Sequence, residues 1–283
     1  MTTTLAGTLA LERLEKNRFR GTTPDSWSGR IFGGQVIAQA LLAAYETVEE
    51  RPCHSLHAYF IRPGDPVVPI VFEVDRSRDG GSFATRRVIA IQDGKQILNL
   101  AASFQDAEEG FEHQVPVPEH PHWSELLAEI RPEDAGKPDA GRATGWLSSS
   151  VTRPIEIRTV EGMLSPEGQQ PPFNKYWFRA IDPIGDDPRL HQAILAYASD
   201  MGMLATATRP HPVTRRTPGL KSASLDHSMW FHRPIDFNAW HLYVQDSPIA
   251  SGGRGFSRGS IYTEAGVLVA STAQEGMLRP PRA

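Results

Sequence analysis

The chain has 283 residues, with 29 Lys and Arg against 33 Asp and Glu, a formal net charge of −4 and 40% hydrophobic residues. That length admits two domains or one large duplicated one. The apolar share fills a sizeable core, yet no run approaches the roughly 18 consecutive apolar residues of a membrane-spanning helix. With no polybasic block, neither nucleic acid nor membrane insertion is expected, and the pairs Arg86-Arg87 and Arg215-Arg216 are small and local. The single Cys53 excludes an intramolecular disulfide and a thiolate-rich metal site; it reads as a small buried residue in a reducing compartment. Residues 1–14 lack the order of a secretory signal, and the Pro-Pro-Arg-Ala end is not a peroxisomal address, so a cytoplasmic location is expected.

In chain order, the first strong signal is a helix over Gly34–Ala44, with Val36, Ala40 and Ala43 or Ala44 on one face and small or apolar residues all round, as for an enclosed helix. Alternation then predicts strands at Val68–Val74 and Phe83–Ile91, separated by turns at Asp79-Gly80-Gly81 and Asp93-Gly94. Eleven of the 23 prolines lie between Val115 and Pro188, which makes regular structure there intermittent. Pro154–Arg158 and Lys175–Arg179 nevertheless carry strand patterning. A second enclosed helix is predicted from His191 through Asp200 to Ala205, followed by strands from Ser222 and over Trp240–Val244 and a turn at Ala265-Gly266.

These elements repeat. Ala58-Tyr-Phe-Ile-Arg-Pro63 matches Met229-Trp-Phe-His-Arg-Pro234, each followed by an extended segment, a Gly-Gly pair and a small-residue strand ending at Gln105 or Gln274. The Arg-Pro pairs are 171 positions apart and the glutamines 169. One enclosed helix followed by antiparallel strands, given twice, predicts an α+β architecture in which curved sheet wraps helix. That arrangement is a double hot dog, with copies at residues 1–114 and 151–283 and a Pro-rich linker at 115–150.

The motifs exclude several chemistries. There is no G-x-S-x-G elbow, phosphate loop, dinucleotide turn or H-E-x-x-H zinc helix, and no metal or cofactor is expected. Asp200 ends an apolar helix, where it either caps an exposed turn or sits buried for a reason. In Ser222–Pro234, Ser224, Asp226 and Ser228 share one strand face while Leu225, His227 and Met229 share the other. Adjacent strand residues point apart, so Asp226-His227-Ser228 is not a catalytic triad, and His227 and His232 read as structural. Gln274 either makes a sheet hydrogen bond or orients a water or carbonyl; an amide cannot act as a base.

Together the segments Phe32–Val36, Tyr59–Asp65, Ala102–Gln105, Gly110–Gln114, Tyr197–Asp200, Asp226–Pro234 and Val269–Gly276 resemble the acyl-CoA thioesterase II family over nearly the whole chain. The resemblance implies a double hot-dog enzyme that hydrolyses fatty acyl-CoA without a covalent intermediate. Its water-holding Asp, hydroxyl and Gln fall on Asp200, Ser224 and Gln274. The family's usual Thr is replaced by Ser224, which holds the water less rigidly, and a register slip would move the assignment to Ser222. Backbone donors at Gly33-Gly34 of the other copy are expected to receive the oxyanion. Gln39 is aligned with Asp200 and Gln105 with Gln274, giving one site per chain, while His54 and His57 read as structural. Arg62, Arg86, Arg87, Arg254 and Arg258 could form a basic rim for coenzyme A. Acyl-CoA is the expected substrate, and exposed strand edges such as Trp240–Tyr243 argue for a homo-oligomer. The competing readings are a non-catalytic acyl-thioester sensor and a hot-dog 3-hydroxyacyl hydratase, whose D-x-N-P-x-H type segment is missing.

Overall fold

A computed structural model of the chain describes residues 4–24, 29–126, 155–160, 169–213 and 217–281. In the first half, helix α1 (Leu5–Leu9) and strands β1 (Glu12–Glu15) and β2 (Arg18–Gly21) precede the long helix α2 (Gly33–Tyr45). Four strands follow: β3 (Cys53–Phe60), β4 (Ile70–Asp79), β5 (Phe83–Gln92) and β6 (Lys95–Gln105). The second half contains β7 (Ile155–Thr159), β8 (Phe173–Ala180), α3 (Pro188–Ser199), α4 (Met203–Thr208), β9 (Lys221–Ser224) and β10 (Asp226–Phe231). It closes with β11 (His241–Ser251), β12 (Arg254–Thr263) and β13 (Leu268–Arg279). Most of the expected linker, residues 127–150, lies outside the described residues.

All strands join one antiparallel sheet in the order β1-β2-β4-β5-β6-β3-β10-β13-β12-β11-β8-β7, with β9 added beside β13. The two halves meet where β3 pairs with β10, His57 standing opposite Ser228. This is the double hot dog expected from the repeat: curved sheet around a pair of helices. Trp240–Tyr243 is not an edge, because β11 is hydrogen-bonded between β12 and β8; the edges are the short strands β1 and β7. That sequence argument for a homo-oligomer therefore fails.

Helix α2 is enclosed as predicted, with Ile37, Ala38, Ala40, Leu41, Ala43 and Ala44 fully buried. Its two internal glutamines are fixed to the preceding segment: Gln39 donates to the carbonyls of Thr8 and Thr22, and Gln35 to Thr22 and to the Thr23 hydroxyl. Helices α2 and α3 lie together at the centre. Their close approach depends on Gly34, where a Cβ would stand 2.2 Å from the Tyr197 carbonyl oxygen.

The second predicted helix is broken. It starts sharply, with Asp187 accepting from the Arg189 N–H and Pro188 in the first turn, but it stops at Ser199. Gly202 takes a left-handed conformation (φ 81°) before α4 begins. The carbonyls freed by the break are satisfied from the sheet. Tyr243 donates to Ser199, and Tyr176 and Gln245 both donate to Met201.

Candidate active site

Asp200 follows the last residue of α3 and is buried, not at an exposed turn. Its Oδ2 accepts the Gly34 backbone N–H at 3.0 Å. The first turn of α2, from one half, thus meets the carboxylate of the other, at the helix end that favours negative charge. Of the Gly33-Gly34 donors expected to receive an oxyanion, the Gly34 N–H is engaged by Asp200. Tyr176 and Tyr243 stand behind the carboxylate. Burial raises the proton affinity of both phenols, and the charge of Asp200 adds to the effect, so both remain neutral hydrogen-bond donors.

Gln274 lies on β13 facing inward, 2% exposed. Its Nε2 donates to Ser224 Oγ at 2.8 Å. The contact goes to Ser224 and not to Ser222, which pairs further along with Leu278. Strict alternation would put Ser224 and His227 on opposite faces. The ladder is interrupted between β9 and β10 at Leu225, whose N–H donates to Glu275. Across this break both side chains reach the same amide, His227 Nδ1 lying 2.6 Å from Gln274 Oε1.

His227, expected from the sequence to be structural, is a direct neighbour of the Gln274–Ser224 pair. It is fully buried, and its Nε2 lies 2.8 Å from the hydroxyl of Ser199, the residue before Asp200. Enclosure without a charge partner lowers its pKa to about 4, so the ring is neutral near pH 7. Its place on the Leu225–Met229 face was the available signal. Ser228 points the other way, to His57 at 3.0 Å, and the adjacent Asp-His-Ser forms no relay. His54 contacts Ser103 and Phe83.

The basic residues divide. Arg86 is buried and bonded to Thr47 and Asp79, which removes it from any ligand rim. Arg254 pairs with Glu275, Arg258 with Asp246, and Arg62 donates to the Gln96 carbonyl, while Arg87 is exposed.

The first half does not repeat the set, though not by the alignment the glutamines suggest. His57 faces Ala101 where Ser228 faces Ala273, and Arg86 faces Ala102 where Ser257 faces Gln274. Gln274 therefore corresponds to Ala102, not Gln105. The offset between the halves is 171 from Arg86 to Ser257 and 172 from Ala102 to Gln274, so the second turn adds one residue and the two glutamines, 169 apart, stand three positions out of register. Counted from the helix starts, Asp200 corresponds to Tyr45 and not to Gln39. Cys53, 171 positions before Ser224, donates its N–H to the Tyr45 hydroxyl, which also bonds Gln192.

The comparisons agree with this two-part construction. A family model described as acyl-CoA thioesterase N-terminal domain matches residues 23–105, and one described as acyl-CoA thioesterase matches residues 148–277. The chain belongs to the acyl-CoA thioesterase II family. Acyl-CoA thioesterase 2 of Haemophilus influenzae is 38% identical across 96% of this chain and 95% of its own length. Acyl-coenzyme A thioesterase 8 of Homo sapiens is 39% identical across 96% and 87%. Among solved structures, an acyl-CoA thioesterase II, TesB2, from Mycobacterium marinum superposes with a TM-score of 0.79 at 40% identity, over 98% of each chain. The thioesterase therefore hydrolyses acyl-CoA, and its polar residues must be read for that chemistry.

Proposed function

We propose that the substrates are fatty acyl-CoA thioesters of medium to long chain, cleaved by direct attack of a water held by Asp200, Ser224 and Gln274. One observation carries this reading. A buried carboxylate ends the helix whose last residue, Ser199, is joined through His227 to the Gln274–Ser224 pair. Asp200 takes the proton as the water oxygen bonds to the carbonyl carbon. The C–S bond then breaks, and the proton passes to the departing thiolate, leaving free acid and coenzyme A. One amide hydrogen of Gln274 is engaged by Ser224, and the other is directed to the water. A serine nucleophile would need a base at its hydroxyl; the nearby imidazole bonds Gln274 instead, which supports attack by water. Phe60 and Phe32, packed about Gly33 and Gly34 beside the carboxylate, favour a hydrocarbon chain.

The test is release of free thiol from acyl-CoA of graded chain length. Asp200→Asn keeps the shape and the Gly34 contact but loses the base, and turnover should fall roughly 10²- to 10⁴-fold. Parent-level turnover in this variant would overturn the assignment. The domain limits 1–114 and 151–283 belong to the same reading, as does one active site per chain. So do a reducing, cytoplasmic setting, supported by the unpaired Cys53, and a homo-oligomer, supported by exposed Tyr59 and Phe83 and checked by sedimentation equilibrium.

A further inference from the structure

We infer that His227 is a positioning residue: it holds the side-chain amide of Gln274 in one orientation and, through that amide, sets what the Ser224 hydroxyl can offer to the reacting water. The inference rests on the reading that Gln274 and Ser224 hold this water. Burying an imidazole costs free energy unless both nitrogens are satisfied. Here each has a partner, Gln274 Oε1 at 2.6 Å and Ser199 Oγ at 2.8 Å.

A neutral ring has one N–H and one lone pair. An amide oxygen only accepts, so Nδ1 carries the hydrogen. Nε2 then accepts the hydroxyl hydrogen of Ser199, which otherwise turns to the Ala196 carbonyl 2.9 Å away. With Oε1 engaged, the amide nitrogen faces Ser224 Oγ at 2.8 Å. Ser224 accepts from Gln274 and keeps its own hydrogen for the site. The bonds run one way, from the neighbour of Asp200 to the hydroxyl that holds the water. If the amide turned over, Ser224 would donate to Gln274 and lose that hydrogen.

The test uses the full-length enzyme with His227→Leu, His227→Asn and His227→Gln, beside Asp200→Asn and Gln274→Ala. Asn places an N–H near the Nδ1 position and Gln places one near Nε2. His227→Leu should lower kcat roughly 10- to 100-fold with KM changed less than about threefold. His227→Asn should recover most of the loss and His227→Gln should not. Ring ¹⁵N shifts of the parent enzyme should show Nδ1 protonated and Nε2 bare, which decides the point even if the Leu variant does not fold. The inference is overturned by parent kcat in His227→Leu, by Asn no better than Leu at equal melting temperature, or by a bare Nδ1. Parent turnover in Asp200→Asn and Gln274→Ala would remove the catalytic reading and the positioning role together. Loss in those two with full activity in His227→Leu removes the positioning role alone.

Discussion

Gly33 and Gly34 are adjacent but constrained by different neighbours. A Cβ at Gly33 would stand 2.9 Å from Asp200 Oδ2 and 2.8 Å from the Phe60 ring, so Gly33→Ala presses on the carboxylate. A displacement of this kind should lower kcat on the order of 10- to 100-fold with little change in melting temperature, as read by thiol release and a thermal melt. A Cβ at Gly34 meets backbone, 2.2 Å from the Tyr197 carbonyl, and the two helices must separate. Gly34→Ala should therefore cost roughly 1–3 kcal/mol or more in a denaturant titration. Of the candidate site, Asp200 stands out in the residues themselves, as a polar group ending an apolar helix, whereas Ser224 and Gln274 lie among other polar residues and are assigned through the family resemblance. The place of His227 beside Leu225 and Met229 marks a buried ring, but strict alternation assigns it to the face opposite Ser224 and so hides its contact with Gln274. Only the interruption at Leu225 brings both to one amide.

At the level of elements, the first helix was readable because its enclosure is written in its own composition. The end of the second was only partly so, because Gly202 marks it locally but the groups that satisfy its freed carbonyls lie elsewhere. Tyr176, Tyr243 and Gln245, on β8 and β11, capture the carbonyls of Ser199 and Met201. The break places Asp200 at a helix terminus instead of mid-helix. The far end of α2 is closed from the sheet as well. Arg86 on β5 donates to the carbonyl and hydroxyl of Thr47, a cation beside a helix C-terminus, with its charge shared with half-exposed Asp79. Arg86→Met preserves the volume and leaves those oxygens unpaired in the interior. It should destabilise the fold by about 2–3 kcal/mol in equilibrium unfolding, while per-molecule turnover of the folded fraction is kept. A turnover loss without destabilisation would instead restore Arg86 to the ligand rim.

For the molecule as a whole, acid is the weak condition. His227 and His241 are both buried, and burial lowers each pKa to about 4 from the usual 6.5. Between those values the unfolded chain binds protons that the folded chain refuses, so stability rises with pH and is lost as pH falls from about 6.5 towards 4. Each histidine contributes up to about 1.4 kcal/mol per pH unit within that window. Denaturation midpoints should drop steeply from pH 6.5 to 4.5, and His241→Asn should flatten the slope. A pH-independent midpoint would contradict the enclosure of both rings. The duplication itself was plain in the sequence because Arg-Pro, Gly-Gly and aromatic signals recur in order. The correspondence within it was not: by strand register Gln274 answers to Ala102, 172 positions earlier, whereas Gln105 is 169 positions earlier and three residues out of step.

The hydrogen bond from Gly34 to Asp200 spans 166 positions and crosses from one copy to the other. On the proposed mechanism neither half is a complete reagent. One half carries the carboxylate, hydroxyl and amide assigned to the water, and the other anchors the carboxylate while its own equivalent positions hold Tyr45, Cys53 and Ala102. Fusion into a single polypeptide thus fixes a division of labour that two identical copies, each free to keep or lose the same groups, would have no means to enforce.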